Sequence, residues 1–600
     1  MSEPTGPVAK VVESISPGPV TKLVVAVHGV GKQFRYATIQ SVAERFGAYC
    51  GYKVGTPLGS FHLGDKDARE ALPIPRPAGQ SQFPREMEGV LFAEVFWAHI
   101  PDEAVKQEDT VEETKTWAKT VVERVRALDC GKNGKETINY KKTSAVVAEM
   151  IETISVLESL LLLGRKVGVV DFDLKKLLTD YVCDIQIVTE FSTYRRKILE
   201  EFHSTFRTLV KKHNPAEIHI IAHSEGTVIS FLGLLQAMSN TVPESDWVHR
   251  VVGFMTIGSP IDKHMVMWPD LWNGYKPVKP SPRQYPVQWR NYYDHGDPVG
   301  FQLDTARSWL KEGNWSSEPP ADDDLFRFTD RDDYGFTRYF FPGKAHNDYW
   351  EDDAVFDHFI STVIRPPRTA ALPQKKTPST RPMAVLVSWV LPYVICFLVL
   401  LTGTYLLYKP ASNLVSPDQG LGLMVGNVIA ITSLLAGMTV LARVPRLVTC
   451  FKRYLVVVGI FALSVWTYLQ LLDPAAHKHL NAFIHNVWPG AGDNGIVWVV
   501  FIVGILAGAI SYFQPRWGLK PIVIMLGLVV AGVVWGIARN GENSLSLDKN
   551  AEKAPLWPVL LGGAAFLYLW WLSALIFDLV FVWHRYIRGN LAKTILCRFR

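Results

Sequence analysis

The stretch "IHIIAHSEGTVI", residues 218–229, decides the fold of the N-terminal half of this chain. It begins as a run of apolar, often β-branched residues, which predicts a buried strand. It continues into "TVISFLGLLQAM" (227–238), whose apolar residues recur at helical spacing. Between the two lies "AHSEG" (222–226), in which small residues stand two positions before and after Ser224. A serine at such a strand-to-helix turn is held exposed, and this indicates a nucleophile.

Other apolar runs divide the first 364 residues into strands and helices. A long amphipathic helix is predicted over 191–213, where apolar residues recur every three or four positions. Strands that alternate with helices are typical of a mostly parallel sheet with helices on both faces, so residues 1–364 are predicted to form an α/β domain. A helical insertion, first charged and then apolar, is predicted around 100–215. The predicted strands cover 22–27, 90–97, 217–222, 250–258 and 286–293.

The first of these strands leads into "LVVAVHGVGKQF" (23–34), which is close to a phosphate-binding loop. That motif reads G-x-x-x-x-G-K-[ST], and here Ala26 replaces its first glycine and Gln33 replaces its hydroxyl residue. Nucleotide binding is therefore disfavoured. In the alternative interpretation, the glycines behind the strand turn backbone N–H groups toward a reacting oxygen, and Lys32 is a surface charge.

A serine nucleophile needs a base that takes its proton and an acid that orients the base. Downstream of the serine, "NYYDHGDPVG" (291–300) includes the end of a predicted strand and offers two acids, Asp294 and Asp297. The stretch "GKAHNDYW" (343–350) offers His346 just before a predicted helix. With His346 as the base, the order along the chain is serine, acid, histidine, which is the order found in one large class of α/β enzymes.

Two other histidines are weaker candidates for the base. His295 lies between the two acids and is too early for that order. His264 has no acid after a strand end between it and Ser224. His346 is therefore the predicted base.

Five short motifs together resemble the lipase/esterase-type members of the α/β-hydrolase superfamily. They cover about residues 20–360 and read "VHGVG", "AHSEGT", "IGSP", "DHGDPVG" and "AHNDYW". In these hydrolases the acid commonly stands in a D-x-V or D-P-V context, which Asp297 matches and Asp294 does not. The histidine commonly precedes a short polar-aromatic run, as His346 does. The resemblance implies a catalytic triad of Ser224, Asp297 and His346.

The resemblance also implies how the reacting oxygen is held. Backbone N–H groups of Val30 and Glu225 would bind the oxyanion. The loop that carries the first of them would be shaped by His28, Gly29 and Gly31. No metal or organic cofactor is required, and the six scattered cysteines include no C-x-x-C pair for a metal site. Glu225 is a departure from the family, because many relatives carry an apolar residue at this position. A charge there could disfavour anionic substrates, or the carboxylate could point away and pair elsewhere.

Residues 383–600 are predicted to form an all-α transmembrane domain with a basic C-terminal tail. Six apolar stretches reach the length of about 18 residues that a membrane-spanning helix needs. They cover 383–408, 421–442, 454–472, 496–513, 521–538 and 557–582. Segments on one side of these spans carry 16 Lys and Arg and the loops on the other side carry 5, so the positive-inside rule places the hydrolase domain and both termini in the cytoplasm. A proline-rich basic linker over 365–382 is expected to be extended and solvated.

The sequence therefore predicts a multi-pass, membrane-anchored serine hydrolase that cleaves a carboxylic ester, with a lipid or phospholipid as the expected substrate. Bilayer lipid is the expected partner, and GxxxG pairs in the spans are compatible with a homo-oligomer. The formal net charge of +5 is small for 600 residues and gives no case for nucleic-acid binding. The alternative is that the hydrolase domain regulates, or serves as a scaffold on, a channel- or transporter-like membrane domain. Asp578, the one acid inside the predicted spans, is the pointer to that alternative.

Overall fold

The computed structural model describes mainly the N-terminal part of the chain. The described residues are 22–30, 33–54, 71–74, 87–104, 185–278, 286–297, 299–340, 345–365 and 377–387, with 390, 394 and 398 as single positions. By its internal contacts the chain divides into two units, Met1–Val385 and Leu386–Arg600. Among the described residues, no helix is long and apolar enough to cross a membrane. The predicted spans, apart from the start of the first, and most of the predicted insertion lie outside these residues.

A parallel sheet forms the centre of the first unit. Its strands in the described part of the chain are β1 (Lys22–Val27), β2 (Val90–Val95), β3 (Glu217–His223), β4 (Val251–Ile257), β5 (Val287–Asp294), β6 (Phe326–Arg327) and β7 (Asp333–Phe336). Their spatial order is β2-β1-β3-β4-β5-β6, and β7 pairs with the last residues of β5. Every pairing between these strands is parallel, so the predicted mostly parallel sheet is confirmed.

Helices cover both faces of this sheet, which confirms the predicted α/β architecture. One face packs against α1 (Ala37–Tyr49) and α7 (Asp353–Phe359), and the other packs against the remaining helices. These are α2 (His99–Ala104), α3 (Ser192–His213), α4 (Glu225–Met238), α5 (Ile261–Met267) and α6 (Asp304–Glu312). In β1, Leu23, Val25 and Val27 enter one core, whereas Val24 and Ala26 enter the other. A strand buried on both faces is apolar at every position, which explains the continuous apolar run.

The carboxyl ends of the central strands meet at one edge of the sheet. Strand β1 ends at Val27, β3 at His223 and β5 at Asp294. The residues that follow these ends include the loop that starts with His28 and Gly29 (the HG loop), Ser224 and the turn that carries Asp297. Loops at this edge of a parallel sheet are where α/β proteins commonly form their sites, because strands bring distant parts of the chain together there.

The last residues of the predicted linker pack against the loop that follows β7. The Arg381 N–H donates to Thr337 O at 2.8 Å, and the Thr337 N–H donates to Thr380 Oγ1 at 3.2 Å. The guanidinium of Arg338 donates to Ser379 O at 2.9 Å. Residues 379–381 are therefore anchored by hydrogen bonds, although Ser379 and Arg381 are exposed to solvent. The extended, solvated linker stays a prediction. A helix begins at residue 382.

Candidate active site

Ser224 lies in the sharp turn between the end of β3 and the start of α4. Its φ of 53° and ψ of −130° place it in a region that residues with side chains rarely occupy, at a cost on the order of 1–3 kcal/mol. The Ser224 N–H donates to Ile257 O at 3.0 Å, which ties the turn to the end of β4. Gly29 and Gly226 allow neighbouring segments of the chain to approach each other closely around Ser224. A Cβ on Gly29 would lie 2.6 Å from Ser224 Cβ, and a Cβ on Gly226 would lie 2.3 Å from His28 O.

The three residues predicted as a catalytic triad form one hydrogen-bonded chain. Ser224 Oγ lies 2.9 Å from His346 Nε2. The other ring nitrogen, His346 Nδ1, lies 3.0 Å from each carboxylate oxygen of Asp297. All three side chains are buried. The carboxylate accepts the Nδ1 proton, so Nε2 carries a free lone pair that faces the serine hydroxyl.

Asp297 is held in its ionised form despite full burial. Burial pushes its pKa upward, but the charge and hydrogen bond of His346 and the N–H groups of Val299 and Gly300 outweigh this and hold the pKa well below its usual range. The Val299 N–H donates to Asp297 Oδ1 at 2.7 Å. A permanent negative charge therefore lies beside the imidazole at neutral pH.

The rival acid and the rival base have other surroundings. Asp294 Oδ1 accepts from the Gly296 N–H and its Oδ2 from the Arg338 N–H, each at 2.7 Å, so this carboxyl shapes the loops around the site. Burial raises the pKa of Asp294 to about 7. His295 packs edge-on against Tyr293, and burial lowers its pKa to about 4. The structure brings Asp297 and His346 to the serine, as the chain order predicted.

The HG loop behind β1 is fixed by a stacked pair of rings. The Trp97 N–H donates to His28 Nε2 at 3.1 Å, so the proton is on Nδ1, which donates to Gly29 O at 2.8 Å. The Trp97 indole N–H donates to His28 O at 3.1 Å, and the rings stack at 5.0 Å. Burial lowers the pKa of His28 to about 4, so the ring stays neutral and holds the loop. Val30 is buried beside it and stays the predicted oxyanion donor, whereas residues 31–32 lie outside the described part of the chain.

Glu225 presents its backbone and its side chain to different partners. Its N–H is the first of α4, and the first N–H groups of a helix have no acceptor within the helix. Its buried carboxylate turns to α5, where Oε1 lies 3.1 Å from His264 Nε2. His264 Nδ1 faces Pro260 O at 3.2 Å and must carry a proton. Neither of the two atoms in this contact makes a hydrogen bond, so the carboxylate and the ring edge only approach each other closely.

Two further polar residues beside the triad were not assigned a role from the sequence. His223 Nε2 donates to His346 O at 2.7 Å, so the residue before the serine holds the backbone of the base. Lys263 on α5 donates to Val299 O and lies 3.8 Å above the ring of Phe301. It thereby fixes the turn after the acid. His223 was visible within the AHSEG motif, but nothing in the sequence indicated Lys263.

One cavity of about 490 Å³ lies away from the triad, between α3, α4 and the segment after α5. Its wall includes Arg195, Leu232 and Trp268, and the triad side chains are not part of it. Within the described residues, no group of three or more His, Cys, Asp or Glu side chains is arranged to hold a metal ion.

The fold and these distances define an α/β protein with a hydrogen-bonded serine, histidine and aspartate at the carboxyl edge of its sheet. Comparison of the chain with protein-family models, with curated proteins and with solved structures gives no match. The function therefore has to be argued from the residues themselves.

Proposed function

We propose that this chain is a membrane-anchored serine hydrolase of the α/β-hydrolase type, which cleaves a carboxylic ester through an acyl-enzyme. The observation that supports this most directly is the continuous chain of hydrogen bonds from Ser224 Oγ through His346 to Asp297. A serine hydroxyl is a weak nucleophile unless a positioned base takes its proton. Here the base lies at hydrogen-bonding distance and its tautomer is fixed by an ionised acid.

The first half of the reaction follows from these positions. As Ser224 Oγ bonds to the ester carbonyl carbon, its proton moves to His346 Nε2. Asp297 stabilises the resulting imidazolium through the Nδ1–H bond. The proton then passes from Nε2 to the leaving alkoxide, and the C–O bond breaks. Water, activated by the same Nε2, releases the acid from the serine.

The negative charge that develops on the carbonyl oxygen needs donors that are already in place. The Glu225 N–H at the start of α4 is one, and the helix dipole adds a favourable potential there. Val30 in the HG loop is the proposed second donor, because Gly29 brings that loop into contact with Ser224. Removing one such donor typically costs about 10²–10³-fold in rate. The Glu225 side chain lies against His264 on α5.

A lipid ester is the proposed substrate class, and the membrane is the proposed location. The support is the six apolar stretches and their positive-inside pattern. Leu386, Val390, Val394 and Leu398, spaced four residues apart at the start of the first stretch, are 43–54% exposed. A stripe of exposed apolar side chains on a helix favours burial against lipid or another apolar surface.

Labelling with a fluorophosphonate tests the proposed chemistry without knowledge of the substrate. The full-length chain in detergent should become covalently labelled, and Ser224→Ala should not. Ser230→Ala is the matched control, because Ser230 lies on α4, which begins directly after Ser224, and its buried hydroxyl has no hydrogen-bond partner. The control should label like the wild type. Equal labelling of wild type and Ser224→Ala would contradict the assignment of the nucleophile.

The lipid part of the proposal needs its own measurement. The extracted lipids of cells that produce the wild type should be compared with those of cells that produce Ser224→Ala. We expect the loss of one ester lipid class and the appearance of its free fatty acid or lyso form in the wild type alone. Identical lipid profiles alongside normal fluorophosphonate labelling would leave the serine hydrolase in place and remove lipid as its substrate.

A further inference from the structure

Tyr349 is a buried phenol that the mechanism above does not use. It lies in the short 3₁₀ turn Asp348–Glu351, three residues after His346. Its hydroxyl oxygen is 2.8 Å from Asp297 Oδ2 and 2.7 Å from the backbone nitrogen of Asp294. The side chain is fully buried. The phenol therefore joins the segment that carries the base to the acid and to the end of β5.

The direction of both hydrogen bonds follows from which groups can donate a proton and which can accept one. The Asp294 N–H can only donate, so the phenol oxygen accepts from it. The single phenolic proton is then left for Asp297 Oδ2. Burial and the nearby carboxyls of Asp297 and Asp294 raise the pKa of Tyr349 well above its ordinary value. The phenol therefore keeps this proton at any pH at which the enzyme would work.

We propose that Tyr349 is a positioning residue that sets both the orientation and the effective charge of Asp297, and through it the proton affinity of His346. This inference rests on the proposed serine hydrolase function. Two side chains from one short segment contact the same carboxylate, His346 through Nδ1 and Tyr349 through its hydroxyl. Because a donor to the carboxylate withdraws part of its charge, the imidazolium beside it is stabilised less than it would be without the phenol.

Tyr349→Phe removes the donor and keeps the ring. Asp297 then bears more charge toward the imidazolium, so the base holds its proton to a higher pH. The rate of fluorophosphonate labelling against pH should show an acidic limb whose midpoint rises by about half a unit or more, because a hydrogen bond to a charged group is worth about 1.5–3 kcal/mol and only part of this reaches the base. The plateau rate should fall by roughly 5–20-fold, since the carboxylate also loses an orienting contact.

A matched control comes from the same aromatic cluster. Tyr339 lies 5.3 Å from Tyr349 between ring centroids, and its buried hydroxyl makes no hydrogen bond to Asp297. Tyr339→Phe should keep the wild-type midpoint. A lower plateau in Tyr349→Phe with an unchanged midpoint would show a structural role alone and overturn the proposal. A wild type that is not labelled at any pH would instead count against the serine hydrolase function itself.

A second variant covers the case in which Tyr349→Phe fails to fold, since it leaves the Asp294 N–H without its acceptor. Fluorotyrosine introduced at position 349 keeps the shape and both hydrogen bonds but donates more strongly. It withdraws more charge from Asp297, so the midpoint of the acidic limb should move down, opposite to the shift in Tyr349→Phe. A midpoint that stays unchanged in a folded fluorotyrosine protein would overturn the positioning role.

Discussion

The substitution Gly226→Ala adds one methyl group at the point where α4 passes the HG loop. The new Cβ would lie 2.3 Å from His28 O and 2.7 Å from Val27 O, although Cβ atoms essentially never come within 3.0 Å of a neighbour. Both neighbours are backbone atoms at the end of β1, so no side-chain rotation can relieve the contact. The start of α4 and the HG loop must therefore move apart, from 2.3 Å to at least 3.0 Å at this contact.

The expected effects on stability and on rate are of different size. Overpacking costs about 1–3 kcal/mol in folding free energy, and alanine in place of glycine within a helix returns up to about 1 kcal/mol. The protein should therefore fold. The rate is more sensitive, because the Glu225 N–H and Val30 lie on the two parts that separate. A misplacement near 1 Å can cost about 10²-fold, so we expect labelling to be roughly 30–100-fold slower.

The assay is the fluorophosphonate labelling rate of the full-length chain, with the temperature at which labelling is lost as the measure of stability. Gly233→Ala is the matched control on the same helix. Its Cβ would meet the ring of Phe202 at 2.5 Å, about two helical turns beyond the contact with the HG loop. It should lose comparable stability and keep its labelling rate. A Gly226→Ala protein that labels at the wild-type rate would refute the argument that this close approach sets the oxyanion donors.

Three other substitutions, with Asp294→Asn as a control for the first, address the acid, the buried ion pair and the buried amine. Asp297→Asn should slow labelling by about 10³–10⁴-fold, since the amide favours the wrong tautomer of the base, whereas Asp294→Asn should slow it far less. Arg338→Met leaves Asp352 buried without its bidentate partner and should lower stability by about 3–5 kcal/mol, measured as the temperature at which labelling is lost. Burial lowers the pKa of Lys263 to about 7, so between pH 7 and about 10 the unfolded chain binds more protons and this residue makes stability rise with pH. Lys263→Met should abolish that rise, checked by the same temperature measured at pH 7 and pH 9.

Each of these has a result that would contradict it. Equal losses in the two aspartate variants would leave the acid unassigned. An Arg338→Met protein as stable as the wild type would mean that the pair with Asp352 contributes nothing net. A rise in stability between pH 7 and pH 9 that persists without Lys263 would have to come from other groups.

The sequence predicts the parts of the sheet that are buried on both faces. Strands β1 to β4 are mainly apolar runs of six or seven residues, whereas the eight residues of β5 mix aromatic with polar side chains. Each of the five strands was predicted to within two residues at either end. Strands β6 and β7 were not predicted. They read "FR" and "DYGF", with two and four residues, and a charged residue in each. Such short pieces become strands because β5 offers them a paired edge, and this depends on tertiary contacts rather than on local pattern.

The candidate site likewise contains residues that the sequence could identify and contacts that it could not. Ser224, Asp297 and His346 could be named because motif context and chain order constrain them, and the structure brings their side chains into one hydrogen-bonded chain. The contacts of Tyr349 with Asp297 and of Glu225 with His264 could not be predicted from the sequence. Each joins residues that are about 40–50 positions apart and that are adjacent only once the sheet has formed. No local signal separates a buried phenol that holds a carboxylate from one that fills space.

The anchored segment 379–381 determines how far the proposed hydrolase could reach. A free linker of 18 residues would let its ends drift roughly 20–25 Å apart. Here Arg381 is bonded to Thr337, and the first apolar stretch begins two residues later. Because these hydrogen bonds return the chain to the same unit that it leaves after Arg365, the length of the intervening linker adds nothing to the reach of the chain beyond Arg381.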